Sequence, residues 1–235
     1  MYRFLAALIS LHPSQLATAW VAGVFLAGFI RFLVAQEPIP LATGQPLCKT
    51  ILNTSDCAHA IEARQIPLSH GRARRDRLGL HLRLTNGRTK SVVDDTASAQ
   101  PTGFFYLGVC SALGYYVLSA QYDEGSAVHL VNARTGWSVE IANLPTVSPD
   151  RRRFVTLSLG HERYDPERVQ VWLVQGDTLR KEWSLVPEYD DPHDVRWLSN
   201  RSFEFAHSRF EPTIAIVVDT AAIDSTGQWA TRLGP

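Results

Sequence analysis

The sequence lacks an excess of charge of either sign. Its 235 residues include 23 lysines and arginines against 23 aspartates and glutamates, so the formal net charge is zero. Proteins that bind nucleic acid through the phosphate backbone normally carry a basic patch or a strong basic excess. The balance of charge therefore argues against nucleic acid as a partner.

Motifs that mark the common catalytic and metal sites are also missing. The chain has no Gly-x-Ser-x-Gly elbow, no His-Glu-x-x-His, no glycine-rich phosphate loop and no EF-hand spacing. It has only three cysteines, with no Cys-x-x-Cys pair and no Cys/His set at the spacing of zinc ligands. The sequence therefore predicts neither a catalytic residue nor an organic cofactor.

The N-terminal part is strongly apolar. Residues 4–30 include no charged side chain, and a helix over residues 16–35 would be about 30 Å long, which matches the hydrocarbon core of a bilayer. Arg31 lies near one end of that helix, where its side chain can reach the interface. Residues 1–36 are therefore predicted to be a membrane-anchor helix or a cleaved signal peptide, with a buried helix of a cytosolic protein as the remaining alternative.

Arg3 precedes the apolar run and few cations follow it closely, which favours translocation of the rest of the chain. The predicted location is the periplasm or the extracytoplasmic face of a membrane.

Residues 37–77 are predicted to be a linker that contains one short helix. Cys48 and Cys57 flank a short polar stretch that could close as a disulfide in an oxidising compartment. Capping residues at 54–56 precede helix formers, so a helix is expected near residues 55–64, ending before Pro67. Cys110, in an apolar run further along the chain, is expected to be a buried free thiol.

Residues 78–235 have the alternation and the turn signals of an all-β domain. Apolar residues alternate over 78–84, Asn86-Gly87 follows at once, and residues 88–93 run back as the second strand of a hairpin. Further strands are predicted in three groups: 104–113, 115–122, 127–133 and 137–142; then 153–159, 169–174 and 178–185; then 195–198, 202–207, 213–219 and 228–233.

These groups of strands repeat. The turn Ser148-Pro149-Asp150 and the strand after it are echoed about fifty residues later at 197–205, and similar apolar strands recur about 41 and 45 residues apart. Repetition at this interval predicts sheet modules that bury their faces against neighbouring modules. Five of the six tryptophans fall at predicted strand or turn positions and are expected to fill the spaces between sheets: Trp137, Trp172, Trp183, Trp197 and Trp229.

Over residues 103–233 the chain resembles the blades of TolB-like and WD40-like β-propellers. In those proteins a Ser-Pro-Asp-Gly turn opens a strand and a Val-x-Val or Val-x-Trp strand follows, although here Arg151 stands at the position of the usual glycine. The resemblance implies antiparallel meanders stacked as a small or partial β-propeller. An open β-sandwich built from the same meanders is the alternative.

One acidic stretch is a candidate site. Residues 188–194, predicted as a loop between two groups of strands, bring four carboxylates and one imidazole within seven residues. Because Ca²⁺ accepts many oxygen ligands, Asp190, Asp191 and Asp194 are candidate calcium ligands. The alternative interpretation is a solvated acidic turn.

These observations favour a non-catalytic exported β-repeat protein, held at or released from a membrane, that binds another protein or an envelope component. No cofactor is expected, apart from the alternative of Ca²⁺ at the acidic stretch. The rival hypothesis is a hydrolase of envelope material with its site near residues 188–194.

Overall fold

The computed structural model describes residues 37–39, 48, 51, 53–95, 97–98, 101–123, 125–158, 167–186, 190–210 and 214–232, all within the unit Gln36–Pro235. The predicted N-terminal helix, residues 1–36, lies outside these described residues. Within them, no helix combines the length and the apolar character needed to cross a bilayer.

The described residues form one helix and fifteen strands. The helix, α1, spans Thr54–Leu68. The strands are β1 (Ala73–Asp76), β2 (Gly79–Arg83), β3 (Thr89–Val93), β4 (Gly103–Cys110), β5 (Tyr115–Gln121), β6 (Ser126–Asn132), β7 (Ser138–Ile141), β8 (Thr146–Val147), β9 (Arg153–Leu157), β10 (Val169–Gln175), β11 (Thr178–Leu185), β12 (Asp190–Ser199), β13 (Ser202–Phe210), β14 (Ile214–Ile223) and β15 (Trp229–Arg232).

Each sheet is an antiparallel meander in which consecutive strands pair. Sheet 1 contains β1–β3, sheet 2 contains β4–β7, sheet 3 contains β8–β11 and sheet 4 contains β12–β15. Apart from residues 158–168 between β9 and β10, the connections between paired strands are two to five residues long, because antiparallel neighbours need only a tight turn. The prediction of an all-β domain built from antiparallel meanders is confirmed.

Three hydrophobic clusters hold the four sheets in a row. The first lies between sheets 1 and 2, around Leu82 and Tyr116. The second lies between sheets 2 and 3, around Val117 and Phe154, and the third lies between sheets 3 and 4, around Phe203. In the described part of the chain no cluster joins sheet 1 to sheet 4, so the row has two outer faces.

The five tryptophans within the described residues lie between the sheets, as the sequence predicts. Trp172 is buried in the second cluster and Trp137 packs against it. Trp183, Trp197 and Trp229 pack against the third cluster, with the ring of Trp229 6.1 Å from that of Trp183 and 6.3 Å from that of Trp197. Their large apolar area is therefore used to join sheet to sheet.

Helix α1 begins at an asparagine cap and ends later than predicted. The side chain of Asn53 accepts a hydrogen bond of 2.8 Å from the backbone N–H of Ser55. Pro67 lies inside the helix rather than after it, because a proline in the last turn removes a single backbone bond. The C-cap is closed by the N–H of Ser69, which donates to the carbonyl of Ile66.

Two segments that the sequence predicts to be linker or loop form strands in the structure. Residues 73–76, expected in the linker, form β1, and the acidic stretch expected as a loop overlaps β12, which begins at Asp190 rather than near residue 195. In β1 the alternation of apolar and polar side chains cannot be recognised from the sequence, because an arginine takes an inward position. Arg75 is only part-exposed there, and it pairs with two carboxylates. In β12 the register shifts on both sides of His193, and Asp194 has a φ of 52°, which is typical of a bulged strand.

The segment 37–39 lies against the outer edge of β4. The N–H of Ile39 donates to the carbonyl of Leu107 over 3.0 Å. Gly108 permits this close approach, because a Cβ there would lie 2.8 Å from the Cα of Pro38, and its φ is 137°. Other parts of the predicted linker also contact sheet 2, since Glu62 of α1 and Arg75 of β1 both bond to the backbone of β4.

Candidate functional site

A cleft of about 530 Å³ opens beside the N-terminus of α1. Its walls come from the start of α1, from the turn that follows β3, from the start of β4 and from the turn between β5 and β6. The lining includes Ser55, His59, Arg75, Asp94, Asp95, Gly103, Phe105, Tyr122 and Asp123.

An aromatic platform forms part of the cleft. Phe105, on β4, is 6% exposed, and the ring of His59 meets it edge-on with the ring centroids 4.4 Å apart. The guanidinium carbon of Arg75 lies 5.5 Å from the centroid of the same ring. Phe105 is therefore a rigid and largely covered part of the cleft wall, which presents a small apolar surface to a ligand.

A buried ion-pair network fixes the walls relative to one another. The Nε of Arg75 donates to Glu62 of α1 over 2.6 Å, and its Nη1 donates to Asp94 over 2.6 Å. Arg75 also donates to the backbone carbonyl of Phe104, and Glu62 accepts the backbone N–H of Tyr106 over 3.0 Å. The side chain of Glu62 is 5% exposed. Through these bonds Arg75 of β1 connects to α1, to β4 and to the residue that follows β3.

The rim of the cleft is acidic. Asp95 accepts the backbone N–H groups of Ser98 and Ala97 over 3.0 and 3.1 Å, and these bonds, that of Ser98 first, hold the pKa of its carboxyl below its usual value. Asp123 is exposed and has no ion-pair partner among the described residues. With histidine neutral, three carboxylates against one guanidinium leave the lining with a net charge of −2.

A second hydrogen-bonded carboxylate lies next to the cleft. The hydroxyl of Tyr122 donates to Glu140 over 2.5 Å, and the Nε2 of His129 lies 2.8 Å from the same oxygen. The bond from His129 is the main cause that lowers the pKa of the Glu140 carboxyl. Tyr122 is thereby held at the cleft wall by a carboxylate that stays ionised.

The disulfide lies behind the cleft. Cys48 and Cys57 are bonded, with their Cα atoms 5.3 Å apart, and Cys57 is in the first turns of α1. Both sulfurs belong to the second hydrophobic cluster, where they are 7% and 3% exposed. Cys110 is a buried free thiol in the same cluster, and burial raises its pKa to about 11. A thiol with that pKa is almost entirely neutral at physiological pH.

The predicted calcium ligands are not part of the cleft lining. Asp190 and Asp191 lie in β12, and their side chains are outside the described residues. The side chain of Asp194 is 88% exposed, and its Oδ2 lies 4.0 Å from the Nε2 of His193. The described residues contain no group of three or more His, Cys, Asp or Glu side chains that could hold a metal ion. A Ca²⁺ site at these three aspartates stays a prediction.

Sequence reasoning did not find the residues that make the cleft. Arg75 lies in the segment predicted to be a linker, and Asp123 lies between two predicted strands. Glu62 falls on the buried face of the helix, where a carboxylate is unusual unless it is paired, and that position was the available signal. The partners of Glu62 come from β1 and β4, which only the three-dimensional fold brings together.

No protein-family model matches the sequence, and no curated protein matches it significantly. The function is therefore argued from the residues of the cleft and from the fold around it.

Proposed function

We propose that the chain is an exported β-repeat protein that binds another protein or an envelope component in the cleft beside α1. The observation that carries this proposal is the combination of an aromatic platform with an acidic rim in one concave site. Ligand sites are typically concave, largely apolar and equipped with a few well-placed polar groups. The buried network of Glu62, Arg75 and Asp94 supports the proposal because it holds the site in its shape before a ligand arrives.

The chemistry of the cleft favours a partner that presents a lysine or arginine side chain. Such a side chain can place its charge near Asp95 and Asp123, while its aliphatic stem contacts the cleft wall beside Phe105. The positive end of the α1 dipole acts in the opposite direction. It is offset by the cap at Asn53 and by Asp56 in the first turn of the helix.

The disulfide supports export. Stable disulfides are rare in the reducing cytosol and common in the periplasm and outside the cell. Cys48 and Cys57 join the segment before α1 to the helix itself, so oxidation constrains the part of the fold that carries the cleft. We propose that the protein acts in the periplasm or on the extracytoplasmic side of a membrane, to which residues 1–36 direct or anchor it.

The three four-stranded meanders support a finer description of the fold. Sheets 2, 3 and 4 have the same strand order, and each covers a face of the next. We propose that they correspond to blades of a partial β-propeller. An experimental structure in which sheets 2 to 4 pack as a flat sandwich, without a common axis, would contradict this description.

Peptide binding tests the function. The probe is a fluorescein-labelled Ala-Lys-Ala-Lys-Ala peptide, with Ala-Glu-Ala-Glu-Ala as its charge-reversed counterpart, measured by fluorescence anisotropy. We expect the lysine peptide to bind and Asp123→Asn to weaken its binding about 3- to 5-fold, the effect of one exposed charge pair. Asp194→Asn is the matched control, because it removes an exposed carboxylate far along the chain from the cleft. Equal binding of both peptides, or equal effects of both substitutions, would contradict the proposal.

Cell fractionation tests the location. Tagged protein is fractionated, its mature N-terminus is sequenced, and its thiols are trapped with an alkylating reagent before lysis. We expect the exported fraction to contain the protein with Cys48 and Cys57 protected from the reagent. Recovery of the full-length chain in the soluble cytosol with both thiols alkylated would remove the argument for export.

A further inference from the structure

The outer face of sheet 1 carries a serine, a histidine and an aspartate joined by two hydrogen bonds. The Oγ of Ser91 lies 3.0 Å from the Nδ1 of His81, and the Nε2 of His81 lies 2.7 Å from the Oδ2 of Asp76. We propose that Ser91 is a nucleophile for the hydrolysis of acyl esters, with His81 as its general base and Asp76 as the carboxylate that orients the base. This site is separate from the cleft and adds a chemical activity to a binding protein.

Strand register brings the three residues together. His81 on β2 lies directly opposite Ser91 on β3 and opposite Arg74 on β1. Asp76 is two residues after Arg74, so it faces the same side of the sheet and lies diagonally from His81. Side chains in these positions are close enough to interact. The positions of the three residues match no catalytic sequence motif, because only the strand register brings them together.

The carboxylate selects the tautomer of the imidazole that catalysis needs. Asp76 accepts the backbone N–H of Leu78 over 2.9 Å, and this bond is the main cause that lowers the pKa of its carboxyl. An ionised carboxylate only accepts hydrogen bonds, so His81 donates to it from Nε2. The Nδ1 of His81 is then left with its lone pair towards the hydroxyl of Ser91, which is the arrangement of a nucleophile and its base.

Backbone geometry supplies a donor for the oxyanion. The bonds Asp94 N–H to Leu78 carbonyl and Leu84 N–H to Arg88 carbonyl set the alternation of the β2–β3 pair. By that alternation the pair of His81 and Ser91 is a non-hydrogen-bonded one, so the N–H of Ser91 points away from β2. In the described sheet, β3 is an edge strand, and this N–H faces its open edge. It lies on the nucleophile itself, as in many acyl-transfer sites.

The proposed reaction balances without a cofactor. The Oγ of Ser91 attacks the ester carbonyl carbon, and its proton passes to Nδ1 of His81. The bond from carbon to the leaving oxygen breaks, and the departing alkoxide takes the proton from Nδ1. Water then attacks the acyl-serine, gives a proton to Nδ1, and releases the acid as Ser91 regains its proton.

The neighbours of the triad favour an ester that carries an anionic group. Arg74 and Arg83 flank His81 on the same exposed face, and neither forms an ion pair among the described residues. Val93, two residues from Ser91, is 62% exposed and offers an apolar surface to a short acyl chain. The face is open to water, so we expect slow turnover and a preference for activated esters.

Covalent labelling tests the proposal. The full chain is treated with a fluorophosphonate probe, the labelled peptide is identified by mass spectrometry, and hydrolysis of p-nitrophenyl acetate and of p-nitrophenyl succinate is followed in parallel. The variants are Ser91→Ala, His81→Ala and Asp76→Asn. Ser138→Ala is the matched control, since Ser138 is an exposed strand serine whose cross-strand partner is Val131 rather than a histidine.

The expected and the contradicting results are distinct. We expect labelling at Ser91, loss of labelling and hydrolysis in Ser91→Ala, a fall of about 100-fold or more in His81→Ala, and no change in Ser138→Ala. Circular dichroism of each variant checks that the fold is kept. The proposal is wrong if the wild-type protein is not labelled, if Ser91→Ala hydrolyses esters at the wild-type rate, or if His81→Ala is labelled as fast as the wild type.

Discussion

Replacing Glu62 by glutamine tests whether the buried network holds the cleft together. The substitution keeps the shape of the side chain and an oxygen that can accept the N–H of Tyr106, but it removes the charge that pairs with Arg75. Breaking a buried ion pair by removing one partner costs about 3–5 kcal/mol. Arg75 is 24% exposed and keeps its bond to Asp94, so we expect a loss below this range, about 2–3 kcal/mol in the free energy of unfolding.

Urea unfolding followed by tryptophan fluorescence measures this loss. With an m-value of about 2.5 kcal/mol per molar, the unfolding midpoint should fall by about 1 M. Glu204→Gln is the matched control, because Glu204 pairs with Arg196 at the same 2.6 Å distance while Arg196 is 70% exposed. Because that pair is exposed, water screens its charges, and its loss should lower the unfolding midpoint much less. Equal losses in the two variants would refute the argument that burial gives the network its strength.

Three further predictions concern the cysteines and one glycine. Replacing both Cys48 and Cys57 by serine should lower the free energy of unfolding by about 2.6 kcal/mol, the loop-closure term for a nine-residue separation, measured by urea unfolding in the absence of reductant. Because burial raises the pKa of Cys110 from its usual 9.0 to about 11, the folded protein favours the neutral thiol, and this stability is present below pH 9 and declines as the pH rises to 11. The wild type should therefore lose about 1 kcal/mol more than Cys110→Ala between pH 8 and pH 10, and equal losses would contradict this assignment. Gly108→Ala should cost about 2–3 kcal/mol, because the added Cβ meets backbone 2.8 Å away, whereas Gly114→Ala, with open space at its Cβ, should cost about 1 kcal/mol.

The strand pattern could be predicted from the sequence where local signals are strong. The alternation over 78–84 with Asn86-Gly87 marked the hairpin of β2 and β3, and residues 178–185 were predicted with the bounds that the structure has. β1 was missed because Arg75 occupies a position that alternation assigns to an apolar side chain. The start of β12 was missed because charged residues and Pro192 interrupt its pattern, and its bulges need the partner strand β13 to be recognised.

The site was much harder to predict than the strands. The cleft depends on Glu62 of a helix meeting Arg75 of a strand, and on Asp123 of a turn that lies far along the chain. Only Glu62, a carboxylate on the buried face of its helix, carries a signal within its own segment. Ser91, His81 and Asp76 also come together only through cross-strand register. The acidic stretch at 188–194 was a predicted site because its charges are close together in sequence. Of its predicted ligands only Asp194 has a described side chain, and that side chain is exposed to solvent.

The meander order of the sheets has a consequence for how the chain comes to be folded. Each sheet is drawn from one continuous stretch, so nearly all strand pairing is local, which is typical of rapid folding. A chain that emerges N-terminus first can complete sheet 2 before sheet 3 has left the ribosome or a translocation channel. The apolar face that each completed sheet leaves exposed is then covered by the next sheet to emerge. Sheet 4 arrives last, so a chain stopped at residue 186 would present the valines of sheet 3 to water and to its neighbours, and aggregation should begin there.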